Sequence, residues 1–375
     1  MSPTTKITAT RPRERGLTLI ELMIAITLSL LIVGAVISLY ITSQHLYRVQ
    51  NNLSRLQENA RYAMNEMSRD LRMAGYEGCL TGHITPHNDL NNTTSYPYNF
   101  SVPLEGYQYV SGAWVPALDP AFTATLTPAS PPGGVFTLDT ASDIITVRLA
   151  DPAQALAVTQ PSSSASTLNV SLPNPFYSGQ ILLVTNCTGA DIFQVTAQPN
   201  GAAVTHNSGT SVYPGNVQAA LSQNYGSDAT VMPMSTVTYF VATYQAPGTT
   251  PGPPTLWRVD TTNIPPGSTQ PLPLAVASNV KQMTLYYGED TDGDGSANEY
   301  LTAQQIQSVD PTMAHVVSVR VVLLFQTGDD FLSRVPQTIP NYPIPGAPAP
   351  GTFLATDHRL YRVFSFTVAL RNRAL

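Results

Sequence analysis

Arg15-Gly16-Leu17-Thr18-Leu19-Ile20-Glu21 opens the stretch that decides the fold, because from Leu17 the chain turns apolar and stays so to Ile41. Those 25 residues would make a helix of about 37 Å, enough to cross a hydrocarbon core of about 30 Å. Ahead of them lies a polar, basic run with Lys6, Arg11, Arg13 and Arg15. A secretory signal would be shorter and would end at a small-residue cleavage site, whereas this run passes into Thr42, Ser43 and Gln44 and reads as a retained membrane helix. The positive-inside rule keeps the basic end in the cytoplasm and sends everything after Ile41 to the other side, which in a bacterium is the periplasm. Glu21 does not suit lipid: it either snorkels to the nearby headgroups or meets a partner charge.

Composition fits an exported chain. Of 375 residues only 11% are charged, the lysines are Lys6 and Lys281 alone, and 32 Pro and 24 Gly argue against an all-helical bundle. The net charge of −6 is uneven: residues 1–75 hold nine Lys/Arg and five Asp/Glu, the remainder nine and nineteen. That balance argues against direct nucleic-acid binding. Metalloprotease, hydrolase-elbow, phosphate-loop and paired Cys-x-x-Cys motifs are absent from the sequence, which predicts a non-enzymatic protein.

Helical periodicity continues past the membrane. Leu46, Val49, Leu53, Leu56, Ala60, Ala63, Met67, Leu71 and Ala74 form one stripe of the kind laid on a sheet. Gly75 is placed to stop the helix, with Arg69 and Arg72 in its final turns. Beyond it, β-rich runs at 143–149, 180–185, 191–196, 236–244, 256–260, 282–287, 316–325 and 360–370 predict one or two antiparallel sheets, the last two runs being central. The Pro-rich stretches 116–132, 247–254 and 336–351 read as loops. The expected fold is α+β: a long N-terminal membrane-spanning helix packed on a mainly antiparallel β-sheet globular domain.

Two further features are local. Cys79 and Cys187 would share an oxidising compartment and are expected to pair, although Cys79, His83 and His87 at fourth-residue spacing admit a zinc reading that Gly82 and Pro86 weaken. Asp290, Asp292 and Asp294, with Gly293, Gly295 and Asn298, match the opening of a calcium loop. Leu301 stands at the twelfth position, where a calcium EF-hand needs a bidentate Glu, so the competing reading is an Asp/Gly-rich hairpin turn.

The segment Arg15 to Glu21 resembles the class III signal of type IV pilins and pseudopilins. The resemblance implies that a prepilin peptidase cuts after Gly16 and methylates the new terminus at Leu17, where the family most often has phenylalanine, and that Glu21 is the family's characteristic fifth residue. The domains would then be a leader (1–16), a transmembrane half-helix (17–41), a periplasmic amphipathic half (42–75) and a β-rich pilin domain (76–375). Asp70-Leu71-Arg72-Met73-Ala74-Gly75-Tyr76, Thr185-Asn186-Cys187 with Asp191-Ile192-Phe193-Gln194-Val195, the acidic turn between Tyr287 and Tyr300, and Arg359 to Asn372 resemble PilW-type minor pilins. That family is related to the J-type pseudopilin of type II secretion. The implied role is a low-abundance subunit that primes type IV pilus assembly from the tip, with other minor pilins, the major pilin, a tip adhesin, the prepilin peptidase and the inner membrane as partners. A J-type pseudopilin and a membrane-anchored surface-binding module are the alternatives.

Overall fold

The computed structural model describes residues 16–80, 84–128, 133–164, 166–264, 270–343 and 351–372. One α-helix runs from Leu19 to Met73, 55 residues. It divides between two compact units, Met1–Asn52 and Leu53–Leu375. In the first, every residue from 16 to 48 is exposed, and the helix is long and apolar enough to cross a membrane. In the second, the expected stripe is buried from Leu56 on, through Ala60, Ala63, Met67, Leu71 and Ala74.

The helix ends where a left-handed residue was expected. Gly75 has φ +69° and gives its N–H to the Arg148 carbonyl at 2.8 Å. An L side chain would be strained at that φ, which is why glycine serves there.

Two main sheets meet the buried stripe. The larger is organised by the 16-residue strand Thr230–Gln245, which pairs antiparallel with Ile181–Thr185 near its start and with Thr255–Asp260, Ile144–Ala150 and Val135–Leu138 further on. Pro233, which has no N–H to give a ladder, lies where the pairing with Ile181–Thr185 ends and that with Ile144–Ala150 begins. From Ile144–Ala150 the sheet continues to Leu104–Val110 and Ala113–Val115, and from Ile181–Thr185 to Ala190–Gln194 and His87–Asn88. The second sheet has the order Glu299–Leu301, Val280–Glu289, Val316–Gln326, Tyr361–Ala369, all antiparallel. Its Val319, Val321, Leu323 and Phe325 join Ile145, Val147, Val237 and Tyr239 of the larger sheet and the helix stripe in one core.

All eight predicted strands are present. Val316–Gln326 is central as expected, but Tyr361–Ala369 is an edge strand and half its side chains face solvent. A register shift between Gly288 and Glu289 leaves Val317 outside that core, with Val316 inside it. Two predicted loops carry structure. Helix Pro120–Thr125 lies in the first, capped by Asp119, and strand Thr338–Tyr342 lies in the third, paired with Gly351–Leu354. The helix forms because Asp119 accepts the Ala121 N–H and Pro120 takes a position that needs no donor.

Candidate functional site

The features singled out in the sequence lie in three places. At the start of the long helix, Thr18 and Glu21 cap it reciprocally. The Thr18 N–H and hydroxyl reach Glu21 Oε2 at 3.2 and 3.1 Å, and the Glu21 N–H reaches Thr18 Oγ1 at 3.3 Å. This satisfies donors that a helix N-terminus otherwise leaves open and sets a carboxylate at the positive end of the dipole. Gly16 and Leu17 precede the cap and are exposed. Neither reading of Glu21 from the sequence included Thr18, although Thr-x-x-Glu before an apolar run is a legible capping signal.

At the other end of the helix, Cys79 and Cys187 form a disulfide with Cα atoms 4.8 Å apart. The zinc alternative fails because the Cys79 sulfur is committed to that bond; its His83 lies outside the described residues. Just before the bridge, Gly78 has φ +80° and sits against Thr185 and Met232, where an added Cβ would approach the Thr185 methyl to 2.6 Å.

The acidic turn joins Val280–Glu289 to Glu299–Leu301. Carboxylate oxygens of Asp290, Asp292 and Asp294 lie within 4.8 Å of one another. Asp290 accepts the N–H groups of Gly293 and Gly295 at 2.7 and 2.8 Å. The Gly295 N–H, ahead of those of Gly293 and Asp292, holds the Asp290 carboxyl below its ordinary range. Asn298 reaches the cluster through its Nδ2, 3.2 Å from Asp292, while its oxygen accepts from Thr291.

Sequence reasoning missed the clamp between helix and sheet. Asp70 accepts from the buried Tyr239 hydroxyl at 2.7 Å and from Arg258 Nε at 2.8 Å, and Arg258 also holds Asp260 at 2.9 Å. Burial, then the Asp70 charge, push the Tyr239 phenol far above its ordinary range, so it stays a donor. Inside the larger sheet the fully buried Arg148 pairs with Glu105 at 2.7 Å and donates to the Tyr96 carbonyl at 2.8 Å.

The chain thus has a long apolar N-terminal helix with a reciprocal Thr18–Glu21 cap, followed by a mainly antiparallel β domain with a disulfide beyond the helix end. Residues 11–37 match the family described as the prokaryotic N-terminal methylation motif. Residues 238–372 match the family described as Type IV Pilus-assembly protein W, and the two matches together support a PilW-type minor pilin. Both families are structural rather than enzymatic. No curated protein and no solved structure matches the chain.

Proposed function

We propose that this chain is a minor pilin subunit that takes part in priming and tip assembly of the type IV pilus after prepilin peptidase cuts between Gly16 and Leu17. The observation that supports it most is an exposed apolar helix beginning at Leu19, two residues past that bond. Cutting there removes the basic leader and leaves the anchor whole. The mature chain would sit in the inner membrane with its β domain in the periplasm, then enter the surface pilus. Its partners would be other minor pilins, the major pilin and a tip adhesin, and it would have no enzymatic role. In the filament the Glu21 carboxylate would meet the amino terminus of a neighbouring Leu17, since paired charges lose less on desolvation than either alone. At the acidic turn calcium is the proposed ligand, supported by the three gathered carboxylates.

The test is processing followed by incorporation. A bulky residue in place of Gly16 should leave a longer, uncut form in the inner membrane, and a normal N-terminal sequence from that variant refutes the cut. Glu21→Ala should insert normally yet be depleted from sheared pili; wild-type recovery rejects the partner charge. Copurification with secretion pseudopilins in place of pilus subunits would move the chain to type II secretion.

A further inference from the structure

Side chains from two segments distant in sequence converge where His87–Asn88 ends the larger sheet. That short strand runs parallel to Ala190–Gln194 with His87 opposite Asp191. His87 Nδ1 is 3.1 Å from an oxygen of Asp89 and 3.4 Å from one of Asp191, and one ligand atom from each of the three lies within 4.8 Å of the others. Both carboxylates are out of water, Asp89 with 2% and Asp191 with 0% exposure, while the His87 side chain is 51% exposed.

The surroundings orient these groups. Asp191 accepts from the Ser222 N–H at 3.0 Å, the Ser222 hydroxyl at 2.8 Å and the buried Tyr225 hydroxyl. Asp89 Oδ1 accepts from Gln218 at 2.9 Å. Its other oxygen, Oδ2, is buried and has no hydrogen-bond partner among the described residues. Two adjacent buried carboxylates, one with an orphaned oxygen, are relieved by a positive charge between them or by a proton on one of them; burial already raises the Asp89 carboxyl to about 6. Among the described residues the only basic side chain paired with either is His87.

We propose that His87, Asp89 and Asp191 bind one divalent transition-metal ion of the zinc class. Ligands about 2.0–2.1 Å from a tetrahedral ion stand roughly 3.3 Å apart, which fits the His-to-carboxylate separations of 3.1 and 3.4 Å. An imidazole nitrogen among the ligands favours zinc-like ions over calcium or magnesium, which take oxygen. Hydrogen bonds from Ser222, Tyr225 and Gln218 fix the carboxylates as metal sites require. The fourth position would face solvent beside the exposed His87. The ion would staple the segment following the helix to Ala190–Gln194, a second fastening beside the Cys79–Cys187 bond.

The test uses the full chain in detergent, stripped with chelator and then titrated with Zn²⁺ and with Co²⁺. One equivalent of Co²⁺ should produce the visible absorption of a tetrahedral site. At free zinc 100-fold above Kd the melting temperature should rise by about 4 °C. His87→Ala and Asp89→Asn should each weaken zinc binding at least about tenfold. His315→Ala, from the separate Glu289, Asp310 and His315 cluster, and Asp292→Ala in the acidic turn should leave it unchanged. An unchanged far-UV spectrum and the intact disulfide show that the variants fold. Zinc-independent melting, uptake that survives His87→Ala, or loss with His315→Ala overturns the site. Stabilisation by acid alone, with none from zinc, also overturns it and assigns a proton within the cluster in place of the metal.

Discussion

Replacing Asp143 by asparagine should stabilise the β domain at neutral and alkaline pH. Asp143 is fully buried where the two main sheets meet, with its N–H on the Met283 carbonyl at 2.9 Å. One carboxylate oxygen accepts the Leu285 N–H at 2.8 Å and the other faces the Gln108 amide nitrogen at 3.4 Å. Burial raises the carboxyl from 3.8 to about 7, outweighing those two hydrogen bonds, which pull it down. The unfolded chain therefore releases this proton near pH 3.8 and the folded chain only near 7. Between those values the folded state binds more protons, so stability falls as pH rises, by about 1.4 kcal/mol per pH unit. The loss is absent below 3.8 and complete above 7, about 4 kcal/mol in all. Asparagine keeps an acceptor for Leu285 and never ionises. Its new N–H can turn to Gln108 Oε1, which is buried without a partner among the described residues, once the Gln108 amide rotates. Asp143→Asn should thus be more stable than the wild type by about 3–4 kcal/mol at pH 8 and by under about 1 at pH 4. Urea unfolding from pH 4 to 8, on a chain starting at Leu53 where the second compact unit begins, measures both. A difference that stays constant across that range, or a variant weaker at pH 8, refutes the reasoning.

Asp70→Ala should cost about 2–3 kcal/mol, because it strands the Tyr239 hydroxyl and removes one of two carboxylates from Arg258. Asp70→Asn, which keeps an acceptor, should lose roughly half as much in the same urea titration, and equal losses would show that the charge alone matters. Removing both Cys79 and Cys187 opens a closed loop of 108 residues and should lower stability by about 4 kcal/mol. Digestion without reduction should yield the linked peptides, whereas two alkylatable thiols in fresh protein would contradict the bond. At the acidic turn the melting temperature should rise in calcium and fall in chelator, and Asp292→Ala should abolish the response; identical melting in both makes Asp290 to Asn298 a solvated turn.

The helix and the β-branched strands were legible because each carries a period of its own. Thr230–Gln245 and Val316–Gln326 are built of such residues and are buried along most of their length. Leu104–Val110 contains Glu, Gly and Gln, and Leu156–Ser164 contains Pro and three Ser, so neither shows a pattern, and neighbouring strands supply the pairing that holds them. Two short helices were announced and passed over. Asp119-Pro120 caps one, and Thr302 with Gln305 forms a capping box on Ala303–Val309. Tyr361–Ala369 has a core strand's composition but an edge position, since composition reports affinity for a sheet and not the number of neighbours. Asp70 with Arg258, and His87 with Asp191, are tertiary pairs more than a hundred residues apart, beyond any local signal. The disulfide was reachable because two cysteines allow only one pairing.

The turn after the helix explains how a subunit with the proposed role could keep its β domain attached. Small residues at Ala60, Ala63 and Ala74 are buried with no exposed surface, so the helix can lie close against its neighbours. Its last turn is then held at several points within six residues. Asn372 donates to the Ala74 carbonyl at 3.3 Å, the Gly75 N–H bonds to Arg148, and the Tyr76 carbonyl accepts from Ala150 at 2.9 Å. Gly78 fits where a side chain would strike Thr185, and Cys79 closes the covalent link. Hydrogen bonds of this kind each contribute about 1 kcal/mol and give way one after another under load, whereas the disulfide does not. A pull that frees Gly75 and Tyr76 would therefore still stop at Cys79, next to the strand Ile181–Thr185 that bonds the long central strand. On this reasoning the bridge limits how far the helix can peel from the sheet, and shifting it a few residues later along the chain would lengthen the stretch held by hydrogen bonds alone.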